Sequence, residues 1–142
     1  MEHSETDTYR FSERLLHYAE LSGSRQMLDH PSGQAIGVGQ CGDSIDVRLN
    51  VESGRISAID CQPHGCMFTA ACSSAAGQLA FGKTVEEALE ITPEDVEAEL
   101  GGLPEDHKHC ARLAINTLGE AISEYLRAEA MKFNHRGQSG FK

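Results

Sequence analysis

Three cysteines and one aspartate stand where we expect secondary-structure elements to begin or end. Cys41 and Asp43 flank Gly42 just before a predicted strand, where side chains of an extended chain would point the same way. Cys66 lies between the next strand and a long helix, and Cys110 begins the last helix. A rigid frame can direct such ends toward one point, and thiolates are strong ligands for soft transition metals. Because no close C-x-x-C pair is present, spacing alone leaves both a metal site and scattered structural thiols open.

A histidine adds a nitrogen donor to this set. His109 directly precedes Cys110, so it would either bind a metal or help to deprotonate the neighbouring thiol. A helix N-terminus also favours the thiolate form. The alternative is a surface histidine without a role, and this is the interpretation we prefer for His64 and His107.

The remaining two cysteines fit a hydrophobic core better than a metal site. Cys72 lies within an apolar helical stripe, on a different face of the helix from Cys66. Cys61 stands close to Ile59 in a predicted strand. Since cysteine without a disulfide is among the most frequently buried residue types, we interpret both as packing residues.

The first elements follow from hydrophobic periodicity. Residues 9–21 predict an amphipathic helix with Phe11, Leu15 and Tyr18 on one face. The next segment, Ser22–Gly39, is rich in glycine and serine, and we interpret it as a loop.

A β-hairpin is expected to follow. Apolar and polar residues alternate from Ile45 to Val51, which is typical of a half-buried strand. The segment Glu52–Arg55 has turn composition, and Ile56–Cys61 supplies a second strand.

The rest of the chain predicts helices. An apolar stripe runs from Phe68 to Leu79, and Thr84–Glu87 has the sequence of a capping box. Thr92-Pro93 begins a further helix that Gly101-Gly102 ends, and a last helix extends from about Lys108 to Met131. These elements predict an α+β fold in which helices pack on one side of a small antiparallel sheet.

Length and composition favour a single domain. The chain has 142 residues, of which 39% are hydrophobic and 6% aromatic. No repeat or linker divides it. We expect one domain over residues 1–142, with its core at about residues 36–131 and a flexible polar tail at about residues 134–142.

Charge and cysteine number exclude several classes of function. A formal net charge of -10 argues against binding nucleic acid through phosphate attraction and against an anionic membrane surface. The first residues carry neither a basic stretch nor an apolar run, so we expect no secretory signal and a cytoplasmic location. Five cysteines are an odd number, which disfavours a disulfide framework in such a chain.

One glycine motif is rejected on its context. The segment Gly37–Gly42 matches G-x-G-x-x-G letter for letter. A dinucleotide site needs a strand before the glycines and a helix after them. Here we predict a loop before and a strand after, so the segment does not indicate nucleotide binding.

Three separated motifs occur in a fixed order. They are C-G-D at Cys41–Asp43, G-C within His64–Cys66, and L-P-x-x-x-x-H-C at Leu103–Cys110. Between the last two, Gly82–Leu89 fits G-K-(S/T)-x-x-E-A-L. This pattern resembles that of the NifU/IscU-type iron–sulfur cluster assembly scaffolds, and the resemblance covers roughly residues 9–125.

The resemblance implies a scaffold and not an enzyme. Such a scaffold assembles a labile [2Fe–2S] cluster, takes sulfur from a cysteine desulfurase and passes the cluster to apo iron–sulfur proteins. The implied ligands are Cys41, Asp43, Cys66 and Cys110, with His109 as a further metal ligand. The three cysteines are also candidates to accept sulfur as a persulfide. Without iron, the same site would take zinc in an S₃O or S₃N arrangement.

Two other functions remain open. The chain could be a zinc-bound sulfur acceptor in which one cysteine takes persulfide from the desulfurase, or an adaptor that binds the desulfurase without carrying a cluster. The presence of all three ligand cysteines argues against the adaptor.

The chain also departs from the family pattern. In Leu103–His107, acidic residues and a histidine replace the apolar and lysine positions of L-P-P-V-K, which argues against an Hsp70-type chaperone as a partner. Cys72 replaces a serine of the family. The stretch Glu86–Asp106 is acidic and lacks lysine and arginine, so it is either a solvated helix face or a docking surface for a basic partner such as the sulfur donor.

Overall fold

The sheet is an antiparallel meander. The structure is a computed structural model that describes residues 13–21 and 27–140, with the backbone alone for residues 134–140. Within these residues the strands are β1 (Gly33–Val38), β2 (Ser44–Glu52) and β3 (Arg55–His64), in the order β1-β2-β3. The predicted α+β class is confirmed, and so is the hairpin of β2 and β3.

Strand β1 lies where we expected a loop. It pairs with β2 from Gly33 opposite Leu49 to Val38 opposite Ser44. A Cβ atom on Gly33 would lie 2.4 Å from the Ala121 carbonyl oxygen, and one on Gly37 would lie 2.0 Å from Thr117 Oγ1. Glycine is therefore present because the last helix lies directly against this strand. The interpretation of Ser22–Gly39 as a loop is therefore wrong for Gly33–Val38, which form strand β1.

The hairpin buries one face of β2. Ile45, Val47 and Leu49 are almost fully buried, as their alternation with polar residues predicted. The turn into β3 places Ser53 and Gly54 at positive φ angles of 54° and 77°.

Helices cover this apolar face. Their bounds are residues 13–21 (α1), Met67–Ala80 (α2), Val85–Leu89 (α3), Pro93–Leu100 (α4) and Lys108–Gly140 (α5), with a 3-10 turn at Glu105–His107. Helix α5 crosses β1 and β2, and α2 packs on β3 and on α5. The helix continues to Gly140, so its predicted end near Met131 is wrong. The flexibility expected of residues 134–142 stays a prediction.

Local capping signals are confirmed. Thr84 accepts a hydrogen bond from the Glu87 N–H, and the Glu87 carboxylate accepts one from the Thr84 N–H. Thr92 and Asp95 repeat this capping box at α4, which ends at Gly101 in a left-handed conformation. Both helices therefore begin where the sequence predicted, and α4 also ends where it predicted.

Helix α1 packs on α4. Leu15 and Tyr18 are buried, as the helical spacing predicted, while Phe11 lies outside the described residues. The Tyr18 hydroxyl donates a hydrogen bond to the Glu99 carboxylate, and Arg14 donates one to the Glu99 carbonyl oxygen. These contacts attach the start of the described chain to the helical layer.

Two exclusions can be compared with the fold. The segment Gly37–Gly42 begins within the last residues of β1, where we expected a loop, and leads into β2 and not into a helix. The strand that follows the glycines supports the rejection of a dinucleotide site. In the described part of the chain, none of the helices combines the length and the apolar character needed to cross a bilayer.

Candidate metal centre

The hairpin register brings two of the predicted ligands together. Ser44, at the start of β2, pairs with His64, at the end of β3. Asp43 therefore lies beside the segment that leads into α2, and a Cβ atom on Gly65 would lie 2.8 Å from Asp43 Cβ. The glycine before Cys66 is required by this close approach.

A tight turn separates Cys41 from Asp43. The Gly39 N–H donates to the Asp43 carbonyl oxygen at 2.7 Å, and Gly42 adopts a φ of 85°, which favours glycine. Cys41 is exposed, whereas Asp43 is only 7% exposed. The segment is not extended as we expected, because the chain turns at Gly42, but both side chains line the same cleft.

Thr69 connects three of the predicted ligands. Its hydroxyl donates a hydrogen bond to Asp43 Oδ2 at 3.1 Å. The same oxygen lies 3.6 Å from Cys66 Sγ and 3.7 Å from Cys110 Sγ. Sequence analysis missed this residue, although a threonine in the first turn of a helix that begins after a candidate ligand is a usable signal.

The second carboxylate oxygen of Asp43 is available for a ligand. Asp43 Oδ1 is buried and, within the described residues, has no hydrogen-bond partner. A Cβ atom on Gly39 would lie 2.4 Å from it, so glycine leaves it room. A buried carboxylate oxygen without a partner is costly unless a cation binds it, so the site fits a bound metal.

Burial controls the chemistry of Cys110. Its side chain is fully buried at the start of α5. Burial raises the pKa of this thiol to about 11, more than the Thr69 hydroxyl lowers it. The expectation that the helix N-terminus keeps Cys110 as a thiolate is therefore wrong for the metal-free protein.

The thiolate is favoured at Cys66 instead. Cys66 is the exposed N-cap residue of α2. Partial burial raises its pKa, but the N–H groups of Thr69 and Phe68 and the Thr69 hydroxyl together bring the pKa below its ordinary value. Of these two thiols, Cys66 is the better nucleophile.

His109 lies within the site, as expected. Its Nε2 atom is 3.7 Å from Cys110 Sγ and 4.0 Å from Cys41 Sγ. Ligand atoms of Asp43, His109 and Cys110 all lie within 4.8 Å of one another. It is therefore the residue that links the exposed Cys41 thiol to the buried part of the site.

A second histidine, to which we assigned no role, also lies in the site. Ligand atoms of Cys66, His107 and Cys110 lie within 4.8 Å of one another. The His107 ring stacks on Phe68, with centroids 3.9 Å apart and planes 19° apart. His64, by contrast, is exposed and belongs to neither ligand group.

The other cysteines pack in or near the core. Cys72 is fully buried, and burial raises its pKa well above the ordinary value. Cys61 is half-buried and packs against the core. Both therefore serve packing, as the sequence predicted.

The fold and the site together define a class. Thiol, carboxylate and imidazole groups from a strand end, a helix start and the last helix converge on one cleft with a volume of about 300 Å³. This arrangement is a small α+β domain with a sulfur-rich, solvent-open group of side chains that could hold a metal. A model of the family "NifU-like N terminal domain" matches residues 20–132, and the chain belongs to this family.

Named relatives agree with this assignment. The chain is 45% identical over 87 residues to an iron–sulfur cluster assembly scaffold protein IscU 1 of Archaeoglobus fulgidus, covering 61% of this chain and 57% of that protein. It is 36% identical over 99 residues to IscU of Aquifex aeolicus, covering 65% and 63% of the two. The chain thus matches less than two thirds of the length of these relatives.

Solved structures support the fold. A NifU-like protein (N-terminal) from Brucella abortus superposes with a TM-score of 0.62 at 18% identity, over 80% of this chain and 92% of that one. A candidate SUF-system scaffold from Fervidobacterium islandicum superposes with a TM-score of 0.64 at 20% identity, over 80% and 97%.

Proposed function

We propose that this chain is a scaffold, without catalysis of its own, on which a labile [2Fe–2S] cluster is assembled and then transferred to apo iron–sulfur proteins. The ligands are Cys41, Asp43, Cys66 and Cys110. The observation that carries the proposal is the convergence of Asp43, Cys66 and Cys110 on the Thr69 hydroxyl, with distances of 3.1 to 3.7 Å. Family membership and the names of the relatives support the same function.

The ligand set suits a cluster that is bound for a limited time. Thiolates are the usual ligands of iron–sulfur clusters. A carboxylate oxygen is a harder donor and a poorer match to iron in a sulfide cluster. Asp43 is therefore the weak ligand, and it is the one that would yield the cluster to an acceptor with four thiolates.

The exposure of two ligands suits loading from solvent. Cys41 and Cys66 are exposed, whereas Cys110 is buried. A cysteine desulfurase is the proposed sulfur donor, and it can reach Cys66, whose thiolate is favoured. Cys41 and Cys110 are the other proposed persulfide acceptors.

Anaerobic reconstitution tests this function. The chain is incubated with ferrous iron, cysteine, a desulfurase and dithiothreitol as the reductant, and absorption, iron and sulfide are measured. Variants Cys41→Ser, Cys66→Ser and Cys110→Ser are compared with Cys72→Ala, a matched control outside the site. We expect a visible cluster spectrum in the wild type and in the control, and its loss in each of the three ligand variants. A spectrum that survives in all three would contradict the proposed ligands.

One observation favours a second function, that of a zinc-bound sulfur acceptor. Cys41 is exposed and belongs to neither group of three mutually close ligand atoms, so a metal can be held while this thiol is open to a sulfur donor. In the same experiment, stoichiometric zinc, no colour and a persulfide trapped on one cysteine would favour this alternative.

A further inference from the structure

His107 lies at the rim of the cleft in a restrained position. It belongs to the 3-10 turn that precedes α5, and its ring is held against Phe68 at a centroid distance of 3.9 Å. Its side chain is half-buried and lines the same cleft as Cys66. A ring that is stacked in this way loses little further freedom when its nitrogen binds a metal.

The distances to two thiols are close to those of a metal site. A ligand nitrogen of His107 and the sulfur atoms of Cys66 and Cys110 lie within 4.8 Å of one another. Around a tetrahedral zinc with Zn–S bonds of about 2.3 Å, two sulfur ligands are about 3.8 Å apart. Inward movement of about 1 Å closes the group, and Cys66, being exposed, has room to rotate.

We propose that Cys66, His107 and Cys110 form a metal site of their own, which holds one divalent ion, zinc or ferrous iron, without Cys41 or Asp43. Two thiolates and one imidazole leave a fourth position open to water, as in three-ligand zinc sites. This site stands whether or not the chain assembles a cluster.

The donor set favours this site over its neighbour. The other close group, formed by Asp43, His109 and Cys110, offers one thiolate, one imidazole and one carboxylate. Zinc prefers the softer set with two thiolates. Both groups include Cys110. A single ion that binds the Cys110 thiolate can therefore be held by only one of the two groups at a time.

Cobalt binding distinguishes the proposed site from the group formed by Asp43, His109 and Cys110. Variant Cys41→Ser is titrated with Co²⁺ under anaerobic conditions at fixed pH, and affinity is also obtained by competition with Zn²⁺. Sulfur-to-cobalt charge-transfer absorption reports the number of bound thiolates. The same titration is made on Cys41→Ser/His107→Phe, which keeps a ring against Phe68, and on Cys41→Ser/His64→Phe, the matched control. Cys41→Ser/His107→Gln is a second variant that lacks the imidazole.

We expect Cys41→Ser and its His64→Phe control to bind one Co²⁺ with the absorption of two thiolates. Each His107 variant should bind at least about tenfold more weakly, since loss of even an outer partner of a metal ligand costs about 10–100-fold. Far-UV circular dichroism checks that each variant is folded. Unchanged affinity in a folded His107 variant, absorption of a single thiolate, or no binding by Cys41→Ser would overturn the proposed site.

Discussion

The Thr69 hydroxyl donates a hydrogen bond to Asp43 Oδ2 at 3.1 Å across a sequence separation of 26 residues. Both side chains are buried, and the other carboxylate oxygen of Asp43 is without a partner in the described residues. The hydrogen bond therefore restrains the orientation of the carboxylate and leaves its second oxygen available to the proposed metal. In the proposed scaffold, Thr69 would position a ligand and would not itself have to touch the cluster.

Replacing Thr69 should test this positioning role. Thr69→Val keeps the shape of the side chain and removes the hydroxyl, so the buried Asp43 carboxylate loses this hydrogen bond. We expect a loss of about 1.5–3 kcal/mol in the free energy of unfolding, measured by urea denaturation of the metal-free chain. The same substitution should cost clearly less in an Asp43→Ala background. If Thr69→Val lowers the free energy of unfolding equally with and without the Asp43 carboxylate, the lost hydrogen bond is not the cause of the destabilisation.

Removing the weak ligand should lengthen the life of the cluster. In Asp43→Ala the carboxylate is absent, and His109, whose nitrogen belongs to the same close group, can take its position with a softer donor. We expect slower loss of cluster absorption in an anaerobic chelator assay. Asp46→Ala, in β2 and outside the site, is the control. Faster loss in Asp43→Ala than in this control would count against the role of Asp43 in release.

The two thiols flanking Thr69 should differ in reactivity. In the metal-free chain, the pKa of Cys66 is lower than that of an ordinary cysteine, and burial raises the pKa of Cys110 to about 11. Because the thiolate is the reactive form, iodoacetamide should modify Cys66 first, and its rate should reach a plateau at lower pH than that of Cys110. Peptide mass spectrometry over a pH series measures both rates. Earlier modification of Cys110 would contradict this assignment.

The attachment of α1 to α4 should weaken at high pH. Burial, together with the Glu99 carboxylate, raises the pKa of Tyr18 from 10.0 to about 12. The folded state thus favours the neutral phenol, so this contribution to stability is complete below pH 10 and is lost as the pH rises from about 10 to 12. Urea denaturation at pH 9 and pH 11 should show a larger fall for the wild type than for Tyr18→Phe. An equal fall in the free energy of unfolding for the two proteins would mean that ionisation of Tyr18 does not contribute to the loss of stability at high pH.

Much of the fold follows from local patterns. The alternation in β2 and the capping boxes at Thr84 and Thr92 depend on neighbouring residues, and the sequence predicted them correctly. Strand β1 was missed because Gly33 and Gly37 have the composition of a loop. Their small size is needed only because α5 packs on the strand, and such a contact between distant segments is not visible in the sequence.

In the candidate site, as in the fold, local motifs predicted some features, whereas others depend on contacts between distant segments. Cys41, Asp43, Cys66, Cys110 and His109 were named from motifs, but which of them are exposed and which are buried depends on the turn at Gly42 and on the packing of α5. His107 joins the site through its stacking on Phe68, a contact between the 3-10 turn and α2. No local pattern around His107 predicts that contact.

Cluster transfer is the measurement that tests the central claim most directly. The reconstituted chain is mixed anaerobically with an apo [2Fe–2S] ferredoxin in the presence of an iron chelator, and circular dichroism follows which protein holds the cluster. We expect the ferredoxin spectrum to appear at the rate at which the spectrum of the chain is lost, with little iron captured by the chelator. Capture of the iron by the chelator while the ferredoxin stays in its apo form would contradict a scaffold that transfers an intact cluster.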